Sequence, residues 1–210
     1  VLVDVGRSAK QTENMLNNIG VDISGIKGIF LTHEHTDHVN GLSVFAARHN
    51  IPVYASAGTL LALKNKGTLS FKHVDIAVNT DDISIAGLNI KPFKTSHDCA
   101  DGRGYVITGC DGVTKAAIAT DTGYVTPELL STITGCKLVY IESNHDIEML
   151  KPIWRRLQSG WLQNGEYAYK MARHIFEHGN QSVTIGMAGQ FAGGMWFPEA
   201  LCAQILWECD

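Results

Sequence analysis

Apolar positions recur along this chain at a spacing of two in some segments and near 3.6 in others, which predicts alternating strands and helices. Val1-Leu2-Val3-Asp4-Val5-Gly6 reads as a buried strand already running at its first residue, so strands are expected to precede it. Ser8 is placed to cap a helix through about Ile19 that Gly20 ends. A short apolar strand over 28–31 follows, then a helix from Gly41 to His49, a strand Val53–Ala55, and a helix capped by Ser56 that runs to about Lys66. Strand-like runs then crowd together: Phe71–Ile76, Ile83–Ala86, Leu88–Phe93, Gly104–Thr108 and Lys115–Ala119. Pro127 opens a helix to Thr132, since proline is tolerated in a first turn. Lys137–Ile141 and Ser182–Ile185 read as strands, and Glu166–His178 and Pro198–Trp207 as helices. Two strand-rich blocks, each flanked by helices, predict an α/β (α+β) fold of two face-to-face sheets with helices outside, in a single domain over 1–210.

Composition narrows the function classes. The chain has 210 residues, 45% of them hydrophobic and 18% charged, enough for one full core. No apolar run approaches the ~20 residues that cross a bilayer, and no basic stretch leads into an apolar signal core. The expectation is a cytoplasmic protein without membrane contact. The net charge of −4 excludes a strongly basic nucleic-acid binder but leaves room for a local basic patch. Five scattered cysteines (Cys99, Cys110, Cys136, Cys202, Cys209) with no CxxC pair suggest neither a disulfide framework nor a zinc knuckle.

The chemistry concentrates in His33-Glu34-His35-Thr36-Asp37-His38, directly after the apolar run Gly28–Leu31. Residues i and i+2 share a side of an extended backbone, so His33 and His35 can grip one metal ion. Asp37 and His38 then turn toward a second. Two ions roughly 3.5–4 Å apart can clamp an attacking and a leaving oxygen, which points to a metal-dependent hydrolase. Three further strand ends carry polar groups. His97, in Thr95-Ser96-His97-Asp98, is either a surface histidine or, given the first motif, a third ligand for the first ion. Asp121, in Ala119-Thr120-Asp121-Thr122-Gly123, is either a turn former or a carboxylate that bridges two cations, as neutral histidine cannot. Glu142-Ser143-Asn144-His145-Asp146 is either a capped turn or a group in which Asn144 and His145 contact substrate. Lys151, Arg155, Arg156, Lys170 and Arg173 form a basic concentration; arginine forks suit phosphate oxygens, although such runs are commonly solvated.

These motifs in this order resemble the metallo-β-lactamase superfamily, and within it the YycJ/WalJ-like metallohydrolases. The resemblance rests on Leu2–Gly6, Thr32–Leu42, Ser96–Asp98, Gly104–Ile107, Ile118–Thr126 and Glu142–Leu150, and spans about residues 1–150. It implies a four-layer αββα sandwich lacking its first N-terminal strands here, with the site at the rim between the sheets. It implies two divalent ions, zinc or manganese, held by His33, His35, His97 and Asp121 and by Asp37, His38 and Asp121. Asp4 would orient a ligand histidine from behind, Asp37 would orient the attacking water, and His145 would protonate the leaving oxygen. Asn144, Arg155 and Arg156 would contact substrate. The implied reaction is phosphodiester hydrolysis, with DNA as the substrate and an exonuclease role.

The chain departs from the family pattern in the C-terminal third. Trp161 stands where a histidine is expected, and Met187 takes the position of the last ligand histidine. A thioether is a poor match for Mn²⁺ and unusual for Zn²⁺, so the second site is expected to bind more weakly. Two other readings therefore stand beside the nuclease: a hydrolase of small esters, thioesters or lactams, and a non-catalytic member with an incomplete second site.

Overall fold

In the computed structural model, the described residues are 1–68, 75–123 and 126–141, together with the backbone of Gly189–Phe191 and Gly194–Trp196. The expected helices at 166–178 and 198–207 and the strand at 182–185 lie outside them, as do Asn144, His145, Arg155, Arg156, Trp161 and Met187.

Strands β1 (Leu2–Val3), β2 (Ile29–Phe30), β3 (Val53–Ala55) and β4 (Ile76–Val78) form a parallel sheet in that order. Parallel neighbours need crossover connections. Helix α1 (Ala9–Asn18) links β1 to β2, helices α2 (Thr36–Val39) and α3 (Leu42–His49) link β2 to β3, and α4 (Ala57–Asn65) follows β3. The second sheet runs β5 (Ile83–Ile85), β6 (Leu88–Lys94), β7 (Arg103–Thr108), β8 (Lys115–Ala119) and β9 (Leu138–Ile141). It is antiparallel through β8, and β9 joins parallel to β8 after helix α5 (Pro127–Ile133).

The helix ends obey the side-chain chemistry that predicts them. Ser8 caps α1 in a reciprocal box with Gln11, Ser56 accepts from Thr59 N, and Thr126 accepts from Leu129 N ahead of Pro127. Gly20, at φ 76°, takes the left-handed conformation just past the end of α1.

Alternation along the strands builds the layers. Ile29 and Leu31 point to a core formed with α1, α3 and α4, including Leu16, Phe45 and Leu63. Phe30, between them, points the opposite way into a core shared with Ile90, Tyr105, Ile107 and Ile118 of the second sheet. There its ring stacks on Tyr54 at 4.7 Å and meets Tyr105 edge-on at 5.6 Å. On the far side of the second sheet, Ala117, Ala119, Val139 and Ile141 pack on Leu129 and Ile133 of α5. The order is helices, sheet, sheet, helix: the αββα sandwich expected from the sequence. Gly189–Phe191 and Gly194–Trp196 pair as an antiparallel hairpin, which the sequence pattern does not single out.

The cysteines depart from expectation. Cys99 and Cys136 are free, but Cys110 is disulfide-bonded. Spacing alone does not reveal a single bridge.

Candidate metal centre

The functional side chains gather at the C-terminal ends of strands, where the backbone leaves the sheet and side chains are free to converge. Asp4 follows β1, His33 and His35 follow β2, His97 follows β6 and Asp121 follows β8. The two carboxylates sit on left-handed backbone, Asp4 at φ 60° and Asp121 at φ 49°. Aspartate is among the few residues that adopt this region without severe strain, and the resulting bend aims each carboxylate back toward the sheet ends.

Two overlapping groups result. Ligating atoms of His33, His35 and His97 lie within 4.8 Å of one another, and so do those of His33, His38 and Asp121. His33 belongs to both. The ring centroids of His35, His38 and His97 stand 4.6, 4.1 and 4.7 Å from that of His33. His97 Nε2 approaches His35 Nδ1 at 3.1 Å, while its Nδ1 faces Asp98 Oδ1 at 3.0 Å. His38 Nε2 is 2.7 Å from Asp121 Oδ2, and its Nδ1 is 2.7 Å from Asp4 Oδ2. Asp37, expected to share the second ion, belongs to neither group: its Oδ2 is 3.8 Å from His38 Nε2 and its side chain is 42% exposed, at the mouth of the site. The second group thus draws on His33, where the sequence suggests Asp37.

The electrostatics bear on whether a cation fits. Burial, reinforced by the neighbouring His38 cation, pulls the His33 pKa down to about 3, so this ring is neutral. Burial also disfavours charge on His38, but hydrogen bonds to Asp121 and Asp4 override it and push His38 up to about 11. Asp121 is likewise penalised by burial, yet its hydrogen bond and attraction to His38 hold its pKa below the usual carboxylate range. A proton on His38 therefore sits between two carboxylates where a cation is electrostatically favoured. His33 Nε2 is buried without a hydrogen-bond partner. A buried polar atom is costly unless something pairs with it. Imidazole nitrogens and a carboxylate suit Zn²⁺ best and admit other divalent ions. The residues fit a divalent ion at each group.

The loop carrying His97 is fixed from three sides. Ser56 Oγ and Thr59 Oγ1 donate to Asp101 O at 2.7 and 3.3 Å, Ala100 N donates to Glu34 Oε1 at 2.9 Å, and Gly123 N donates to Ser96 O. Glu34, buried and directed away from the ion ligands beside it, is a tether that the sequence reading assigned no role. Burial, then the Glu34 carboxylate, raises the Cys99 thiol, so it is no readily formed ligand.

On the other side, β1 is stitched to the ligand loop: Val5 N donates to His38 O at 2.8 Å and Gly41 N to Val5 O at 2.9 Å. A Cβ on Gly6 would collide with the backbone carbonyl of Asp37 and come within 3.3 Å of His38 Cα. Gly6→Ala is expected to cost about 1–3 kcal/mol in denaturant unfolding, as overpacking does, and to lower metal content by displacing His38. Unchanged stability would show that the ligand loop moves freely.

With this geometry, similarity to known proteins is informative. The sequence matches the β-lactamase superfamily domain over residues 1–175. It is 35% identical over 181 residues to exodeoxyribonuclease YycJ of Bacillus anthracis, covering 82% of this chain and 68% of that protein. It is 30% identical over 188 residues to exodeoxyribonuclease WalJ of Streptococcus pneumoniae serotype 2, covering 83% and 68%. Among solved structures, the Zn(2+)-bound PqqB of Methylobacterium extorquens superposes with a TM-score of 0.61 at 17% identity, over 81% of this chain and 67% of that one.

Proposed function

We propose a metal-dependent phosphodiesterase, acting on DNA as an exonuclease: the chain belongs to the β-lactamase superfamily and has the metallo-β-lactamase fold. The observation that carries the reading is the pair of donor groups that share His33, whose buried Nε2 has no hydrogen-bond partner, in a chain similar to two exodeoxyribonucleases. His33, His35 and His97 would hold one ion, and His38 and Asp121 the other. Two divalent ions, when bound, supply Lewis acidity and a nucleophile at neutral pH.

The chain's own residues do the rest. His97 and Asp121 arrive from strands of the second sheet and the remaining ligands from the first, so the reaction lies in the cleft between sheets. Asp37, at the mouth, orients the attacking water and takes its proton. Asp4 holds the His38 ring through Nδ1 and keeps Nε2 facing inward. His145 would return a proton to the leaving oxygen, with Asn144, Arg155 and Arg156 contacting the phosphate; these four lie outside the described residues. No described helix is long and apolar enough to cross a membrane.

The test uses protein purified without chelator and supplied with Zn²⁺ or Mn²⁺, incubated with end-labelled linear and nicked duplexes. Mononucleotide release that EDTA abolishes is expected. Turnover of a chromogenic thioester or β-lactam in preference to bis-p-nitrophenyl phosphate would move the assignment to carbonyl substrates. Activity that appears only in Met187→His would mark the natural chain as a non-catalytic member.

A further inference from the structure

Thr32 directly precedes the first ligand histidine, is 1% exposed, and reaches Asp4, His33 and His38 at once. Its backbone N donates to Asp4 Oδ1 at 2.8 Å. Its hydroxyl oxygen lies 2.7 Å from Asp4 Oδ2, 3.0 Å from His33 Nδ1 and 3.3 Å from His38 Nδ1. A hydroxyl has one proton to give and two lone pairs to offer. A carboxylate can only accept, and Asp4 Oδ2 is the nearest of the three neighbours, so the proton goes there. The lone pairs then face the two imidazole Nδ1 atoms and are complementary to N–H, not to another lone pair. That arrangement requires a proton on Nδ1 of His33, and a neutral ring with Nδ1–H carries its lone pair on Nε2. Nε2 of His33 is the buried atom without a partner, in the residue common to both donor groups.

We propose that Thr32 is a positioning residue that fixes the tautomer of His33, so that the single carboxylate of Asp4 sets both central histidines, His38 directly and His33 through the Thr32 hydroxyl. The backbone contact adds rigidity: Thr32 N is anchored to the same carboxylate, and Thr32 O accepts from Arg103 N at 2.9 Å, tying the hub to the second sheet. Among the described residues, the Thr32 hydroxyl is the acceptor that His33 Nδ1–H meets, and Thr32→Val removes it. The His33 proton then shifts to Nε2, where it occupies the direction an ion needs. The inference builds on the metal-site reading above, but the tautomer is a property of the metal-free chain and is measured separately.

The test compares the natural chain with Thr32→Val, which keeps the shape and removes the hydroxyl, and Thr32→Ser, which restores it. Long-range ¹H–¹⁵N spectra of histidine-labelled protein in chelator report the tautomer of His33. Nδ1–H is expected in the natural chain and in Thr32→Ser, with Nε2–H appearing in Thr32→Val. Competition against a chromophoric chelator should show Co²⁺ affinity lowered about 10–100-fold in Thr32→Val, as for other residues behind metal ligands, with recovery in Thr32→Ser. If His33 keeps Nδ1–H in Thr32→Val, or shows Nε2–H in the natural chain, the proposal is overturned. A natural chain with Nδ1–H that takes up no ion would sink the metal-dependent function while leaving this tautomer assignment intact.

Discussion

His33→Ala is expected to remove the ion held by His33, His35 and His97 while leaving the other. A neutral imidazole offers one lone pair and serves one ion at a time, so His33 belongs to both donor groups by position but ligates a single ion. Plasma mass spectrometry on protein loaded with Zn²⁺ should find two ions per natural chain and about one in each of His33→Ala, His97→Ala and His38→Ala. Phosphodiesterase activity should fall by at least about 10³-fold in His33→Ala, because losing one preorganised charge-stabilising group already costs about 10²–10³-fold. A second readout separates metal loss from misfolding. An ion present at 1,000 times its dissociation constant stabilises the native state by about 4 kcal/mol. The natural chain should therefore melt higher with Zn²⁺ than with EDTA, and the gap should narrow in His33→Ala. Loss of both ions in His33→Ala would show that His38, Asp121 and the exposed Asp37 do not suffice for a site.

That sequence reading succeeds wherever the determinant is local. Ser8 and Ser56 cap the helices expected of them because a side-chain oxygen three residues before a free amide needs no tertiary information. The span Val53–Ala55 is recovered without error, and the HxHxDH loop is recognisable because its ligands are neighbours in sequence. What escapes it is contact through space. Thr32 lies 28 residues from Asp4, Glu34 lies 66 from Ala100, and nothing in the local pattern brings either pair together. Periodicity assigns Glu34 to the face opposite His33 and His35 but cannot say that this face is buried against the loop carrying His97. Backbone conformation is equally silent: Asp4 reads as a residue inside a strand, yet its φ of 60° ends the strand and turns the carboxylate onto His38. Asp37 and His38 look equivalent in the motif. The short helix α2 separates them, burying His38 at 9% exposure against Asp4 and leaving Asp37 at the mouth.

The difference between His33 and His38 sets a pH dependence that metal binding should reverse. In the metal-free chain, the His38 pKa rises from 6.5 to about 11 on folding. The folded state holds that proton more tightly than the unfolded one, so the stabilisation is complete below pH 6.5 and is lost as pH rises toward about 11. His33 moves the opposite way, from 6.5 to about 3. The unfolded chain then binds a proton that the folded chain refuses, and stability falls as pH drops from 6.5 toward about 3. These two groups place the melting maximum of the metal-free protein near neutrality, with a decline on both sides. An ion at the second group must displace the His38 proton, whereas His33 at pH 7 has none to lose. Binding there should release about one proton, and affinity should rise about tenfold per pH unit between 7 and 9. Calorimetric titration of Zn²⁺ in two buffers of different ionisation enthalpy measures that proton directly. Asp4→Asn, which removes one of the two carboxylates holding the His38 proton, should flatten the pH slope while lowering affinity about 10–100-fold. Proton release that is absent in the natural chain would mean that His38 is neutral before the ion arrives, and that Asp4 and Asp121 do not hold it as a cation.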